Sequence, residues 1–271
     1  MRGDGNRAQN VTEAWQKALK DSGYEHQKSR KTKYAVLKTP RLWKKIFKHM
    51  SFAEKSNLSA FEVGCGGGKH IASLSLNGWN CVGIDCSREV LERARQYIDH
   101  IASIIGKALH VDLLYGDISH YTAPHKFDLV FQVGVLEHFL EDAERANVLL
   151  KMLNLTKPGG HIVSVVPNGK HPFRKKMKEL HLGGYNIPEI DYNSRLMFDE
   201  MHQCGFKEIT VLPHNLFSYL LMESHSLPRK FWYYMWQTIP TSILPQKFAF
   251  RHAGTLICIA QKPSSNRYAI K

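Results

Sequence analysis

A chain of 271 residues, 43% hydrophobic and 23% charged, has the composition of a folded globular protein and excludes disordered or collagen-like classes. Its formal net charge of +13 is unevenly spread: residues 1–60 carry 14 Lys and Arg against five acidic residues, and the remainder carry 23 against 19. Five cysteines, odd in number and without CxxC spacing, argue against a disulfide framework and lead to the expectation of reduced thiols in a cytoplasmic protein.

In chain order, "MRGDGNRAQN" lacks the apolar stretch of a signal peptide, and no run approaches the roughly 20 apolar residues of a membrane span. Residues 11–50 read as two helical stretches separated by "KSRKTK" and Pro40. In the second, Leu42, Trp43, Ile46 and Phe47 recur at helical spacing and predict a core face. Residues 1–58 are expected to form a helical cap or substrate lid. Their positive charge reads either as a solvated face or as a field for an anionic substrate or a nucleic-acid backbone.

From Ser59 strands and helices alternate. "AFEVG" predicts a strand, "KHIASLSLNG" a helix ended by Gly78, and "NCVGID" a second strand. "SREVLERARQYIDHIASII" is an amphipathic helix with Ser87 as N-cap. "HVDLLYGD" and "FDLVFQVG" are further strands, "EDAERANVLLKMLNLT" a helix stopped by "KPGG", and "HIVSVVPN" a fifth strand. Several strands are continuous apolar runs, as burial on both faces of a parallel sheet demands. The fold class is therefore α/β, with a doubly wound, mostly parallel sheet. After the helix "SRLMFDEMHQCGF", the strands "KEITVLP" and "GTLICIAQK" are expected to pair antiparallel at one edge, enclosing an aromatic-rich insertion at about 213–252. Residues 59–271 thus form one core domain.

The stretch "FEVGCGGGKH" places Gly64, Gly66, Gly67 and Gly68 between a strand and a helix. Glycine there permits positive φ and close backbone approach, which fits a bound cofactor or merely a tight turn. Asp85, closing the second strand, is placed to accept two ribose hydroxyls. Glu62 ahead of the loop would repel a pyrophosphate but suits a ligand bearing an ammonium or sulfonium, which weighs against a dinucleotide.

Together "FEVGCGGG", "VGIDCS", "LLYGDI", "FDLVFQVGVLEHF" and "LTKPGGHIVSVVPN" resemble, in order and spacing, the class I S-adenosylmethionine-dependent methyltransferases, most closely the group containing quinone-biosynthesis and natural-product enzymes. The resemblance is dense over residues 59–168 and looser to about 262. It implies a seven-stranded sheet with a reversed final hairpin, and S-adenosylmethionine as cofactor. It further implies that Gly64, Cys65, Gly66 and Gly68 line the methionine end, with Glu62 ordering the amino group. Asp85 would take the ribose hydroxyls, with Cys86 beside the adenine. Asp117 would accept from the adenine amino group, the Ile118 amide would face a ring nitrogen, and Gln132 and Val133 would lie along the methionine part.

His138, in "VLEHF", falls where this family has its active-site rim, and reads either as a general base or as a packing residue. Glu137 is expected to orient a neighbour. Neither HExxH nor a Cys/His ligand spacing occurs, so no metal is expected. Tyr24, His26, Tyr34 and Trp43 in the first segment, and Phe217, Tyr219, Phe231, Trp232, Tyr233, Tyr234 and Trp236 in the insertion, are candidate acceptor-covering residues. The insertion could be a lid, a dimer interface, a membrane-surface patch or plain core. Arg174, Lys175, Lys176 and Lys178 are expected to add positive charge at the same mouth. The expected function is methylation of a hydroxyl or amino group of a small, anionic, aromatic or lipidic metabolite by a monomer or homodimer. An RNA (tRNA) methyltransferase and a non-catalytic cofactor-binding partner are the alternatives.

Overall fold

The computed structural model describes residues 37–52, 56–180, 187–221 and 226–264. The first expected helical stretch, with Tyr24, His26 and Tyr34, lies outside them. Seven strands form one sheet in the order β3-β2-β1-β4-β5-β7-β6. They are β1 (Ser59–Val63), β2 (Asn80–Asp85), β3 (Val111–Tyr115), β4 (Phe127–Val133), β5 (Thr156–Pro167), β6 (Lys207–Leu216) and β7 (Ala253–Gln261). The first five strands pair in parallel, and β7 runs antiparallel to both β5 and β6. The expected edge pair is therefore present.

Alternation along the strands divides the core into two layers. Phe61, Val63, Val130, Ile162, Val166, Leu256 and Cys258 point into one layer. Ala60, Leu129, Phe131, Val163, Ile257 and Ile259 point into the other. Both layers are sealed by helices, which is why β1 and β4 are buried along most of their length. Helix α1 (Arg41–Phe47) buries Trp43 and Ile46 in the second layer, with the Trp43 ring edge-on to Phe131 at 4.9 Å. It is thus a core layer as well as the end of the basic segment. Lys45, on the same helix, donates to Thr241 Oγ1 at 2.7 Å and to the Pro213 carbonyl, and burial lowers its ammonium pKa to about 8.

Helix α2 (Lys69–Leu76) follows the glycine loop, and α3 (Arg88–Ile105) is the amphipathic helix. Ser87 Oγ accepts from the Val90 amide at 3.4 Å, and Gly106 closes α3 at φ +72°. Helix α4 is Asp142–Leu155, α5 Arg174–Glu179 and α6 Ser194–Gln203. "KPGG" does not lie between helix and strand: α4 ends at Leu155 and β5 already begins at Thr156, so Lys157–Gly160 sit within an irregular start of β5. β6 continues to Leu216, so the insertion begins at Phe217, four residues later than expected. It contains α7 (Leu227–Thr238) and α8 (Gln246–His252).

Candidate active site

At the carboxyl end of β1 the chain turns sharply. The Cys65 amide donates to the Ile84 carbonyl at 3.0 Å, and the Gly68 amide to the Cys65 carbonyl at 2.9 Å. Gly64, Gly66 and Gly68 have φ of +62°, +51° and +74°; Gly67 is not among the positive-φ glycines. The glycines serve different purposes. A Cβ on Gly64 would lie 2.5 Å from Val135 Cγ2, and one on Gly68 would lie 3.2 Å from the Ala94 Cβ, so these two are set by protein packing. A Cβ on Gly66 would meet nothing within 4 Å. There the loop opens onto free space. Gly83, which the sequence reading passed over, makes room for Cys65: a Cβ at 83 would lie 2.9 Å from the Cys65 sulfur.

Asp85 ends β2 directly beside this loop. Its Oδ2 accepts from the Gly66 amide and its Oδ1 from the Ser87 amide, both at 3.0 Å. Burial raises its pKa, and amide donation from Ser87, Gly66 and Cys86 opposes the rise. The carboxylate is therefore held in one orientation, tying two strand ends together. Glu62 is buried on β1, and Cys86 is exposed immediately after Asp85. At the end of β3, Asp117 is exposed and its Oδ1 accepts from the Ser119 amide at 2.8 Å, while Ile118 is buried. Glu62, the glycines, Asp85, Cys86, Asp117 and Ile118 thus gather at the carboxyl ends of three neighbouring strands.

Gln132, at the end of β4, is held by hydrogen bonds within the protein. It is fully buried, its Nε2 donates to Ser164 Oγ, and its Oε1 accepts from the Val135 amide at 2.9 Å. Its carboxamide shapes the turn after β4, and the neighbouring Val133 is half-buried at the strand end.

That turn is a single 3-10 helix, Leu136–His138. His138 Nδ1 lies 3.1 Å from the Pro188 carbonyl. A carbonyl can only accept, so Nδ1 carries the proton and Nε2 is the basic nitrogen. Burial lowers the His138 pKa, which favours the neutral ring. Glu137 is buried beside it, and desolvation raises its carboxyl pKa to about 8, with Glu189 adding to the rise and Arg174 opposing it. Among the described residues, Glu137, His138 and Glu189 bring ligand-type atoms within 4.8 Å of one another. Arg174 already occupies this acidic corner, its Nη2 bonded to Glu189 and its Nε to Asp191 at 3.0 Å.

Several of these supporting residues carry no sequence signal. The segment 187–193 returns to the turn from 50 positions away, its Ile190 amide donating to the Glu137 carbonyl at 2.9 Å. The buried Arg145 donates to the Phe139 and Leu140 carbonyls at 2.9 Å and pairs with Glu200 at 2.7 Å, fixing the far side of the turn.

A cavity of about 460 Å³ lies beyond the end of β5 rather than over the glycine loop. Lys170, Lys247 and Arg251 line it over Phe250, with no carboxylate in its wall. The expected cations at this mouth are otherwise engaged: Arg174 and Lys178 pair with Asp191, Lys175 with Glu179, and Lys176 lies over the Phe173 ring. Carboxylates and open backbone converge instead at the glycine loop.

Residues 60–160 match the family described as "Methyltransferase domain". A ubiquinone biosynthesis O-methyltransferase of Stutzerimonas stutzeri is 25% identical over 165 residues, covering 52% of this chain and 66% of that protein. The chain spans about half to two-thirds of the length of the curated relatives it matches first. A phosphoethanolamine N-methyltransferase 2 of Haemonchus contortus, solved with S-adenosyl-L-methionine, shares the fold with a TM-score of 0.54 at 19% identity, covering 81% of this chain and 52% of that one. A methyltransferase of Archaeoglobus fulgidus shares it with a TM-score of 0.57 at 15% identity, covering 86% of this chain and 96% of that one. Strand order, glycine loop, strand-end carboxylates and these similarities together support a class I S-adenosylmethionine-dependent methyltransferase, with the methyltransferase domain over residues 60–160.

Proposed function

We propose that the protein transfers a methyl group from S-adenosylmethionine to a hydroxyl or amino group of a small anionic metabolite with an aromatic or lipidic body. The observation that carries this reading is an order along the carboxyl edge of the sheet. The glycine loop follows β1, the His138 turn follows β4 and the cation-lined cavity follows β5, on three successive parallel strands. Strands about 4.8 Å apart put the first and third of these features about 10 Å apart, within the span of a small molecule.

The residues fit the cofactor. Gly66 leaves space above its backbone, Asp85 offers an oriented carboxylate beside it, and Asp117 offers an exposed one at the next strand end. S-adenosylmethionine, when bound, supplies a methyl group on a sulfonium. Glu62, Gly64, Cys65, Gly66 and Gly68 would hold its amino-acid end, and Asp85 its ribose hydroxyls. Cys86, Asp117 and the Ile118 amide would hold the adenine, and Val133 would lie along the methionine part over the turn that Gln132 braces. The protein's remaining tasks are to align the acceptor and take its proton. Neutral His138 is the base in this reading, receiving the proton at Nε2, while Lys170, Lys247 and Arg251 hold the acceptor's anionic group. Similarity to a ubiquinone O-methyltransferase supports a hydroxyl acceptor.

Incubation with methyl-labelled cofactor and separate pools of metabolites and tRNA tests the proposal. Label is expected in a small anionic compound; label in tRNA, or in neither pool, overturns it. With the acceptor in hand, His138→Ala should lower kcat by roughly 10²–10⁴ and leave cofactor affinity unchanged. The residual rate should climb with pH as the acceptor ionises unaided. An unaltered kcat would assign His138 to packing.

A further inference from the structure

Helix α7 is inside out. A helix on a globular surface normally turns its apolar stripe inward and its polar face to water. Here the inward contacts come from Tyr233, whose hydroxyl donates to Asn215 Oδ1 at 2.6 Å, from Gln237, whose Nε2 donates to the Leu216 carbonyl at 2.7 Å, and from Trp236, which packs on Phe217 and Phe248. Leu227, Phe231 and Tyr234, at i, i+4 and i+7, face the other way with 82%, 66% and 56% exposure. Trp232 beside them is 53% exposed, and Ile243 in the following turn is 72% exposed. No residue of α7 is buried. Leaving this much apolar surface in water is unfavourable, and a contiguous patch of this kind marks an interaction face.

Charge identifies the partner. After Glu223 the sequence contains no Asp or Glu through Lys271, a stretch with seven Lys and Arg. Lys230 on α7 and Lys247 and Arg251 on α8 are exposed on the same insertion. A second copy of the chain would therefore bring like charges together. A 12-residue helix is also only about 18 Å long, too small for the 2,000 Å² or more typical of obligate dimers. Phe, Trp and Tyr following directly on Lys230 are instead suited to the boundary between headgroups and acyl chains, where the rings sit in the interface and the cation meets phosphates. Among the described residues no helix is long and apolar enough to cross a membrane, so such contact would be peripheral.

We propose that α7 and the turn after it form an interfacial element that seats the protein on an anionic phospholipid bilayer, the exposed rings entering the headgroup region. This stands independently of the methyl acceptor.

The test is co-flotation of the full chain with vesicles of phosphatidylcholine alone and of phosphatidylcholine with one-third phosphatidylglycerol. Partitioning should be at least about tenfold stronger onto the anionic vesicles and should weaken in high salt. The double variant Phe231→Ser/Trp232→Ser should lose about tenfold or more of that partitioning. Its thermal midpoint and cofactor affinity should match the wild type, since both side chains are exposed. Lys230→Glu should weaken binding to anionic vesicles only. Equal partitioning of the double variant and the wild type, or no flotation of the wild type, overturns the proposal. So does a wild-type dimer in sedimentation that the double variant converts to monomer, which would make the face a subunit contact.

Discussion

At the scale of single residues, burial raises the pKa of two carboxyls, Asp85 and Glu137. Asp85 is buried but receives amide hydrogen bonds, which offset part of the desolvation that raises its pKa. Asp85→Ala should abolish measurable cofactor binding, because each hydrogen bond to a charged group is worth about 1.5–3 kcal/mol. It should also loosen the tie between the Gly66 and Ser87 amides. Calorimetric titration of the folded variant with S-adenosylmethionine checks this, and retained affinity would move the cofactor elsewhere. Glu137 is buried against Glu189 and holds its proton to about pH 8. Its folded pKa is raised, so its contribution to stability is fully present below about pH 4.5 and is lost as pH rises through about 8. Glu137→Gln should remove that decline, of at most about 1.4 kcal/mol per pH unit across the window. Urea midpoints at pH 5 and pH 8 measure it; parallel pH profiles for the two proteins would show that Glu137 ionises freely.

At the scale of elements, the glycine loop is a joint between β1, α3 and the turn after β4. Its three left-handed glycines are not equivalent. Alanine at any of them adopts a disfavoured conformation costing about 1–2 kcal/mol. Gly64→Ala additionally drives its methyl into Val135, one residue before the Leu136–His138 turn. Gly66→Ala meets no protein atom, but its methyl stands in the space read as the cofactor's. Thermal denaturation should therefore show the larger loss for Gly64→Ala, whereas Gly66→Ala should retain most stability and lose cofactor affinity. Equal melting temperatures with equal affinities would contradict the division. The β6–β7 connection is likewise more than a loop. Phe217, at φ +57°, turns the chain out of β6 and packs its ring against Trp236, Phe248 and His252, so the insertion has a small aromatic core that leaves the far side of α7 bare.

At the scale of the whole molecule, positive charge is concentrated at the two ends of the chain, and the proposed roles differ. Removing residues 1–33 leaves α1 and its buried Trp43 and Ile46 in place, so the fold and cofactor affinity should survive. If the segment covers an anionic acceptor, KM should rise steeply and turnover of the intact protein should vary little with salt. Tight tRNA binding that collapses with added salt, as counterion release requires, would instead assign the segment to nucleic acid. The sequence alone determined the alternation of strands and helices, the antiparallel edge pair, the α3 cap at Ser87, and the grouping of Gly66, Asp85 and Asp117 at strand ends. The individual strands, helices and cap are each written within a few contiguous residues, where periodicity and turn chemistry act locally, and their alternating order carries the strand ends to one edge. Tertiary structure alone decided which charges stay available. Arg174 and Lys178 spend theirs on Glu189 and Asp191, whereas Lys170, Lys247 and Arg251 converge on one cavity from two distant segments. It also decided that α7 faces outward, whereas the core face expected for α1 is covered by the protein itself, since an apolar stripe records that something must cover it and only the packed neighbours reveal what does.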